Sequence, residues 1–487
     1  MEERKGFGSN FGFLMAAVGS AVGLGNIWGF PNKMGASGGF TFLVIYLILA
    51  VLCGFIVMVG ELAIGRKTGK GAVEAYHVLS KKFKWMGWMG ILSAFFILFF
   101  YCALGGYCIK YTVINIGDLF GASFGSGAAA ELAAANGSSV GAEVFGAFIG
   151  NPTEAIIYGL IFVAITMLIV IGGIGGGIEK VCSVGMPALF VMLLICIIRA
   201  CTLEGAVNGL RYMFVPGWAV ANGVIEKAPD FLTVLATAGG QMFFSLSLGM
   251  GAMITYGSYL QKKENLQKNA ILIIVMDTLV ALMAGLCVIP GRFALDPTGA
   301  LGGPKLLFIT MQNVFSRMSG LGPIFGILFY LLVVFAAVSS SISLLEVIVA
   351  HFVDKARDAG KGDKRKPYTL IAAAAVGVGC ILVCADALGT TGFAPGNRLG
   401  MTGDLPTWAA DWLDFWDMLS EGIMMPLGAL LMSLMIGWEI GPEMVKDECE
   451  QSGHAMSGYG FFKICVKFIT PLCMILILYG QIKEFFF

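Results

Sequence analysis

The sequence predicts an all-α polytopic membrane protein of eleven transmembrane helices, built as a 5+5 inverted repeat with one further helix. Three observations predict it. Only 13% of the 487 residues are charged and 57% are hydrophobic, whereas an average soluble domain carries about 25% charged residues. Apolar runs of the ~20 residues needed to cross a bilayer recur along the chain, and mean hydropathy is +0.84. Two of those runs, five spans apart, are interrupted by glycines at matching places. The short alternating segments that build a β-barrel do not occur in the sequence.

The spans are expected at 10–34, 39–65, 87–117, 154–173, 179–201, 231–260, 268–291, 322–353, 368–385, 411–438 and 458–483. The whole chain, 1–487, then reads as one transporter domain, with 10–201 as the first repeat, 231–438 as the inverted second and 458–483 as the extra helix. The opening MEERKGFGSN carries no cleavable-signal pattern. Loop charge sets orientation. Arg66, Lys67, Lys70, Lys81, Lys82 and Lys84 follow span 2, and Lys355, Arg357, Lys361, Lys364, Arg365 and Lys366 follow span 8. The loop from Gly121 to Thr153 holds acids and no Lys or Arg. This asymmetry puts the N-terminus in the cytoplasm and the C-terminus outside, in a bacterial inner membrane. Most of the twelve cysteines lie inside apolar runs, only three histidines exist, and no CxxC occurs, so neither a disulfide framework nor a metal site is expected. Cys380 and Cys384 share a helix face and read as packing.

Span 1 contains GSAVGLGNIWGFP (Gly19–Pro31) and span 6 contains FFSLSLGMG (Phe243–Gly251). A helix interior offers no free backbone groups, and lipid does not tolerate freed ones unless they line a cavity. Freed carbonyls can ligate a hard cation, and exposed half-helix N-termini can hold a carboxylate. Such a pocket suits a zwitterion. An odd offset of five spans makes the two broken helices antiparallel, which is the pattern of an inverted-repeat transporter with its site at the breaks.

These two motifs, FAAVSSS (Phe335–Ser341) in span 8, GELAIGR after span 2 and GIEKVCSVGMP at span 5 together resemble the neurotransmitter:sodium symporter family, above all its eleven-span bacterial amino-acid members with the LeuT-like fold. The resemblance runs in register over nearly the whole chain. It implies two sodium sites and a substrate pocket. The first sodium site would use the Ala21 carbonyl, the Asn26 side-chain oxygen, Ser245, Asp277 and the substrate carboxylate. The second would use the carbonyls of Gly19, Val22 and Ala336 with the hydroxyls of Ser339 and Ser340. Substrate contacts would come from Ala21, Val22, Gly25, Ile97, Tyr101, Phe244, Ser245, Ser247, Met250 and Leu344. Tyr101 would meet the substrate carboxylate. Ile97, Phe244, Ser247, Met250 and Leu344 would line the side-chain pocket, where a flexible thioether at 250 leaves room for an aromatic group.

Charged residues within a span are costly and mark function. In chloride-dependent relatives the neighbourhood of Asp277 holds Asn and Ser. Here Tyr46, Gln241 and Ser245 match the chloride positions, Ala281 replaces the last hydroxyl, and Asp277 supplies the negative charge, so no chloride is required. Glu61 would brace the broken helices. The family's outer gate pairs an arginine in Trp-Arg-Phe-Pro with an aspartate on span 10. Asp417 fits the aspartate, but Gly29 replaces the arginine, which leaves Phe244 with Tyr101, water, or another cation such as Lys305 or Arg292 as ways to close. At the inner end, Arg4 and Asp354 match the gate pair, and Phe7 stands where a tryptophan is usual. Gly177 and Pro187, with nine residues between, match a spacing associated with unwinding of span 5.

The expected function is Na⁺-coupled import of a hydrophobic L-amino acid by alternating access. Expected partners are the amino acid, Na⁺ and the lipid bilayer, with no nucleic acid. A channel of similar build and an intramembrane enzyme are the rivals from other classes, and no Ser/His/Asp constellation supports the enzyme. Against a monoamine substrate stands the lack of a carboxylate near Ser20 and Ala21.

Overall fold

Helices begin and end where the apolar runs do. The computed structural model describes residues 7–297, 305–318, 320–362 and 364–486, and no strand occurs among them. Among the described residues, nine helices are long and apolar enough to span a bilayer: Phe40–Thr68, Met86–Phe120, Pro152–Ile171, Ile174–Cys201, Leu266–Leu295, Gly322–Asp358, Arg365–Asp386, Trp412–Ile440 and Tyr459–Lys483. These are spans 2 to 5 and 7 to 11 of the expected series. Span 1 is a pair, 1a (Asn10–Ala21) and 1b (Gly25–Ala36), bent by 46°. Span 6 is likewise divided into 6a (Phe231–Ser245) and 6b (Ala252–Gly257).

Spans 3 and 8 form the centre, with 78% and 72% of their apolar windows buried, against 28% for span 5 at the periphery. Small residues let these long helices approach. A Cβ on Gly106 of span 3 would come within 2.4 Å of the Gly159 backbone on span 4, and one on Gly159 would lie 2.7 Å from Cys380 Sγ. Glycine at a helix crossing allows this close approach of backbones, and the two cysteines of span 9 fill the space beside it. Behind 6b, Gly65 of span 2 sits against the Ile254 carbonyl, with 2.0 Å left for a Cβ. Arg66, on the next position, is fully buried with Glu448 at 2.8 Å and also bonds the Glu264 carbonyl at 2.7 Å. That pair ties span 2 to the turn after 6b and to the segment after span 10.

Span 5 departs from expectation. The helix is continuous from Lys180 to Cys201 straight through Pro187; prolines inside membrane spans are tolerated where neighbouring groups re-satisfy the freed backbone. The irregular part lies before it. Gly173 has φ 77°, and the turn from Ile174 to Glu179 is wound wide, as a π-helix. From there Glu179 reaches the start of 1a, accepting from Gly8 N at 2.9 Å and from Ser9 Oγ at 3.3 Å. Ser9 itself caps 1a, accepting from Gly12 N at 2.9 Å. A Cβ at Gly12 would stand 1.8 Å from Glu179 Oε1.

Gly12→Ala is therefore expected to lower stability by about 1–3 kcal/mol, the usual range for overpacking. Gly146→Ala, with nothing within 4 Å of its Cβ, is expected to be neutral or slightly stabilising. Melting temperatures of the two purified variants in one detergent test this contrast.

Candidate functional site

The break in span 1 exposes main-chain groups that side chains answer, one from within the break and the others from other spans. Leu24 N donates to Tyr101 Oη on span 3 at 2.9 Å, and Gly23 N to Asn26 Oδ1 at 2.9 Å. Gln241 Nε2 on 6a donates to the Gly25 carbonyl at 2.6 Å. Ser247 Oγ, in the break of span 6, donates to the Ser20 carbonyl at 2.8 Å. Ser247 has φ 53°, followed by Gly249 and Gly251 at 80° and 79°. A left-handed serine is strained, and its hydroxyl bond to span 1 offsets that cost. Glu61, buried in span 2, accepts from Gly249 N at 2.7 Å. Its expected bracing role thus has a concrete partner, a freed amide of the second break.

The serines of span 8 face the first break, not lipid. Ser339 Oγ lies 3.3 Å from the Val22 carbonyl and 2.9 Å from the Ala336 carbonyl. Ser340 Oγ lies 3.2 Å from the carbonyls of both Gly19 and Val22. The structure brings all five expected ligands of the second sodium site together as one buried set of neutral oxygens.

Asp277, fully buried in span 7, is the centre of the other cluster. Ser245 Oγ donates to it at 3.0 and 3.1 Å, and Tyr46 Oη approaches at 3.4 Å. Asn26 differs from expectation. Its Nδ2, not Oδ1, faces the cluster, 2.7 Å from Asp277 Oδ1 and 2.9 Å from Ser245 Oγ. A buried carboxylate selects a donor, and the amide oxygen is taken by Gly23 N. Ala21 ends 1a beside this cluster.

Between the breaks lies a small, nearly filled pocket. Eight of the expected substrate contacts line it: Ala21, Gly25, Ile97, Tyr101, Phe244, Ser247, Met250 and Leu344. Val22 and Ser245 do not; their polar atoms turn to the serine set and to Asp277 instead. Ser20, Gly23 and Ser340 line it in addition. Every lining residue is buried, Phe244 being the most exposed at 8%. Gly23 is required by its neighbours: a Cβ there would stand 2.2 Å from Ser340 Oγ and 2.3 Å from Tyr101 Oη.

The profile of the Sodium:neurotransmitter symporter family matches residues 4–120 and 147–486. The chain belongs to this family. It is a sodium-dependent transporter with several membrane-crossing helices, not an enzyme. An uncharacterized sodium-dependent transporter of Bacillus subtilis, YhdH, is 33% identical over 481 residues, covering 96% of both chains. A Haemophilus influenzae sodium-dependent transporter is 29% identical, covering 98% of both. Among solved structures, MhsT in complex with L-phenylalanine superposes with a TM-score of 0.83 at 32% identity, covering 98% of this chain and all of that one.

At the two ends of the bundle the expected gate residues have the following partners. Lys33 of 1b pairs with Glu421 of span 10, and the Asp417 carboxyl contacts that of Glu421 within electrostatic reach of Lys33. Neither Arg292 nor Lys305 takes this place: Arg292 lies over the Phe293 ring at 4.7 Å, and Lys305 is exposed. Sequence reading missed Lys33 because its partner is 388 positions away and no local pattern links the two. At the other end, Arg4 lies outside the described residues, and Asp354 Oδ2 accepts from Gly71 N at 3.2 Å. Phe7 packs edge-on against Phe13, Tyr256 and Tyr259 at 5.5 to 6.1 Å, which ties the start of span 1 to 6b.

Gly23→Ala, which forces Tyr101 and Ser340 apart, is expected to abolish the rise in melting temperature that Na⁺ gives the purified symporter. An unchanged rise would mean that the close approach of spans 1, 3 and 8 is dispensable.

Proposed function

We propose that the symporter imports a hydrophobic L-amino acid, aromatic ones included, together with Na⁺ and without chloride, across a bacterial inner membrane. The observation that carries this reading is the serine set. Two hydroxyls and three carbonyls converge on one buried point between 1a and span 8, with no formal charge among them. Oxygen-only donors suit a hard cation, and a neutral cage suits a monovalent one. A second Na⁺ would bind between Ala21, Asn26, Ser245 and Asp277. There the carboxylate of Asp277 balances the ion, and Asn26 must turn its amide to present Oδ1.

The cavity's chemistry supports an amino acid. Ile97, Phe244, Met250 and Leu344 make an apolar wall, and the other end is Tyr101 Oη with the freed groups around Gly23 and Gly25. A carboxylate would take the freed amides and the Tyr101 hydroxyl; an amine would take freed carbonyls. The phenylalanine bound by MhsT supports an aromatic side chain among the substrates. Because the Na⁺ and substrate subsites share 1a and 6a, each ligand would raise the affinity for the other equally. Each Na⁺ moved inward gains about 2.3 kcal/mol per 100 mV of membrane potential. The charge distribution of the loops supports a cytoplasmic N-terminus and an outer C-terminus.

Competition of the twenty amino acids against labelled phenylalanine, with Na⁺ or with K⁺, tests the reading. Hydrophobic residues are expected to compete, and only in Na⁺; uptake indifferent to Na⁺ would overturn it. Ser340→Ala is expected to raise the half-saturating Na⁺ concentration about tenfold, or about 1.4 kcal/mol. Ser341→Ala, whose hydroxyl bonds Val338 and Thr166 instead, should stay within about twofold. For chloride, unaltered uptake is expected to ignore its replacement by gluconate, while Asp277→Asn becomes chloride-responsive. Strict chloride dependence of the unaltered chain would refute the charge-balancing role.

A further inference from the structure

We infer that Lys33 is the gate cation of this symporter: it latches 1b to span 10 through Glu421 and Asp417, taking the work that a side chain at position 29 does elsewhere in the family. The inference rests on the alternating-access reading above. Four observations lead to it.

The first is the room at Gly29. A Cβ there would stand 2.8 Å from Gln241 Oε1, and Gln241 is held by its bond to the Gly25 carbonyl. A long side chain at 29 would break that bond. The second is direction. Side chains on a helix lean toward its N-terminus, so a lysine one turn beyond Gly29 sends its four-carbon stem back over the bare glycine. Its ammonium arrives near the spot a residue at 29 would reach, without displacing Gln241.

The third is what the pair connects. Glu421 rests on 6a, where a Cβ at Gly240 would stand 3.2 Å from its Oε1. Gly240 is one turn from Phe244, the aromatic wall of the cavity. Trp416, beside Asp417, stacks on Phe96 at 4.7 Å and meets Phe99 edge-on at 5.1 Å. Span 10 is therefore anchored to span 3 next to Ile97 and Tyr101, and Lys33 joins 1b to that fixed wall. The fourth is burial. The Lys33 and Glu421 side chains are 22% and 7% exposed, and every residue lining the cavity is buried. An ion pair at this depth is screened less than a surface one. It remains a single point-charge contact, unlike the bidentate fork of an arginine, and so it can be parted during each cycle.

The test reads access to the cavity directly. A cysteine is introduced at Leu344, and its reaction with a membrane-impermeant methanethiosulfonate is followed from outside, in Na⁺ without substrate. The rate of the chain lacking that cysteine is subtracted. Lys33→Gln and Glu421→Gln are each expected to speed labelling at least fivefold. The charge swap Lys33→Glu with Glu421→Lys is expected to return it to within twofold of the starting rate. A rate unchanged by either single substitution, or a swap that labels as fast as Lys33→Gln, overturns the gate. Na⁺-dependent phenylalanine binding, measured on membranes of the unaltered chain and of Lys33→Gln with Leu344 kept, tests the proposed function separately, because the labelling needs no substrate.

Discussion

Everything in this molecule answers to one obligation: a backbone amide or carbonyl inside a bilayer must have a partner. Two helices are opened in mid-membrane, and the groups so freed are met one at a time. Tyr101 from span 3 takes Leu24 N, Glu61 from span 2 takes Gly249 N, and Gln241 from 6a takes the Gly25 carbonyl. Ser339 and Ser340 from span 8 take the carbonyls around the end of 1a. Each partner comes from a different span. The break is stable only inside the assembled bundle, and the oxygens it exposes are thereby fixed in position for a cation.

Glycine supplies the complementary half of the design. Gly23 admits Tyr101 and Ser340, Gly12 admits Glu179, and Gly65 admits the backbone of 6b. Each position lacks a side chain because a polar group from another span already occupies the space. Polar satisfaction and close packing are here the same fact seen from two helices. Within the two breaks, the left-handed Ser247 keeps its side chain despite the backbone strain, and its hydroxyl is the bond that reaches span 1.

Much of this was legible in the sequence. Span limits follow from apolar run length, so observed and expected ends differ by a few residues. The breaks follow from glycine clusters that no lipid-facing helix would carry, and the serines of span 8 from hydroxyls too numerous for a lipid face. Less legible was anything decided by a distant partner. The orientation of the Asn26 amide depends on Asp277, 251 positions on. The lysine that meets Glu421, the carboxylate that caps 1a and the buried Arg66–Glu448 pair all join residues with no shared local pattern. In span 5 the irregular turn, Ile174–Glu179, contains Gly177, while the helix runs on unbroken through Pro187.

The two breaks are also stitched to each other. Ser247 bonds Ser20, Gln241 bonds Gly25, and Asn26 bonds Ser245. At about 1 kcal/mol each, tearing one half-helix from the other sacrifices about 3 kcal/mol, on the order of a hundredfold in population. The two broken spans are thereby held as one body, so a displacement of either carries the other with it.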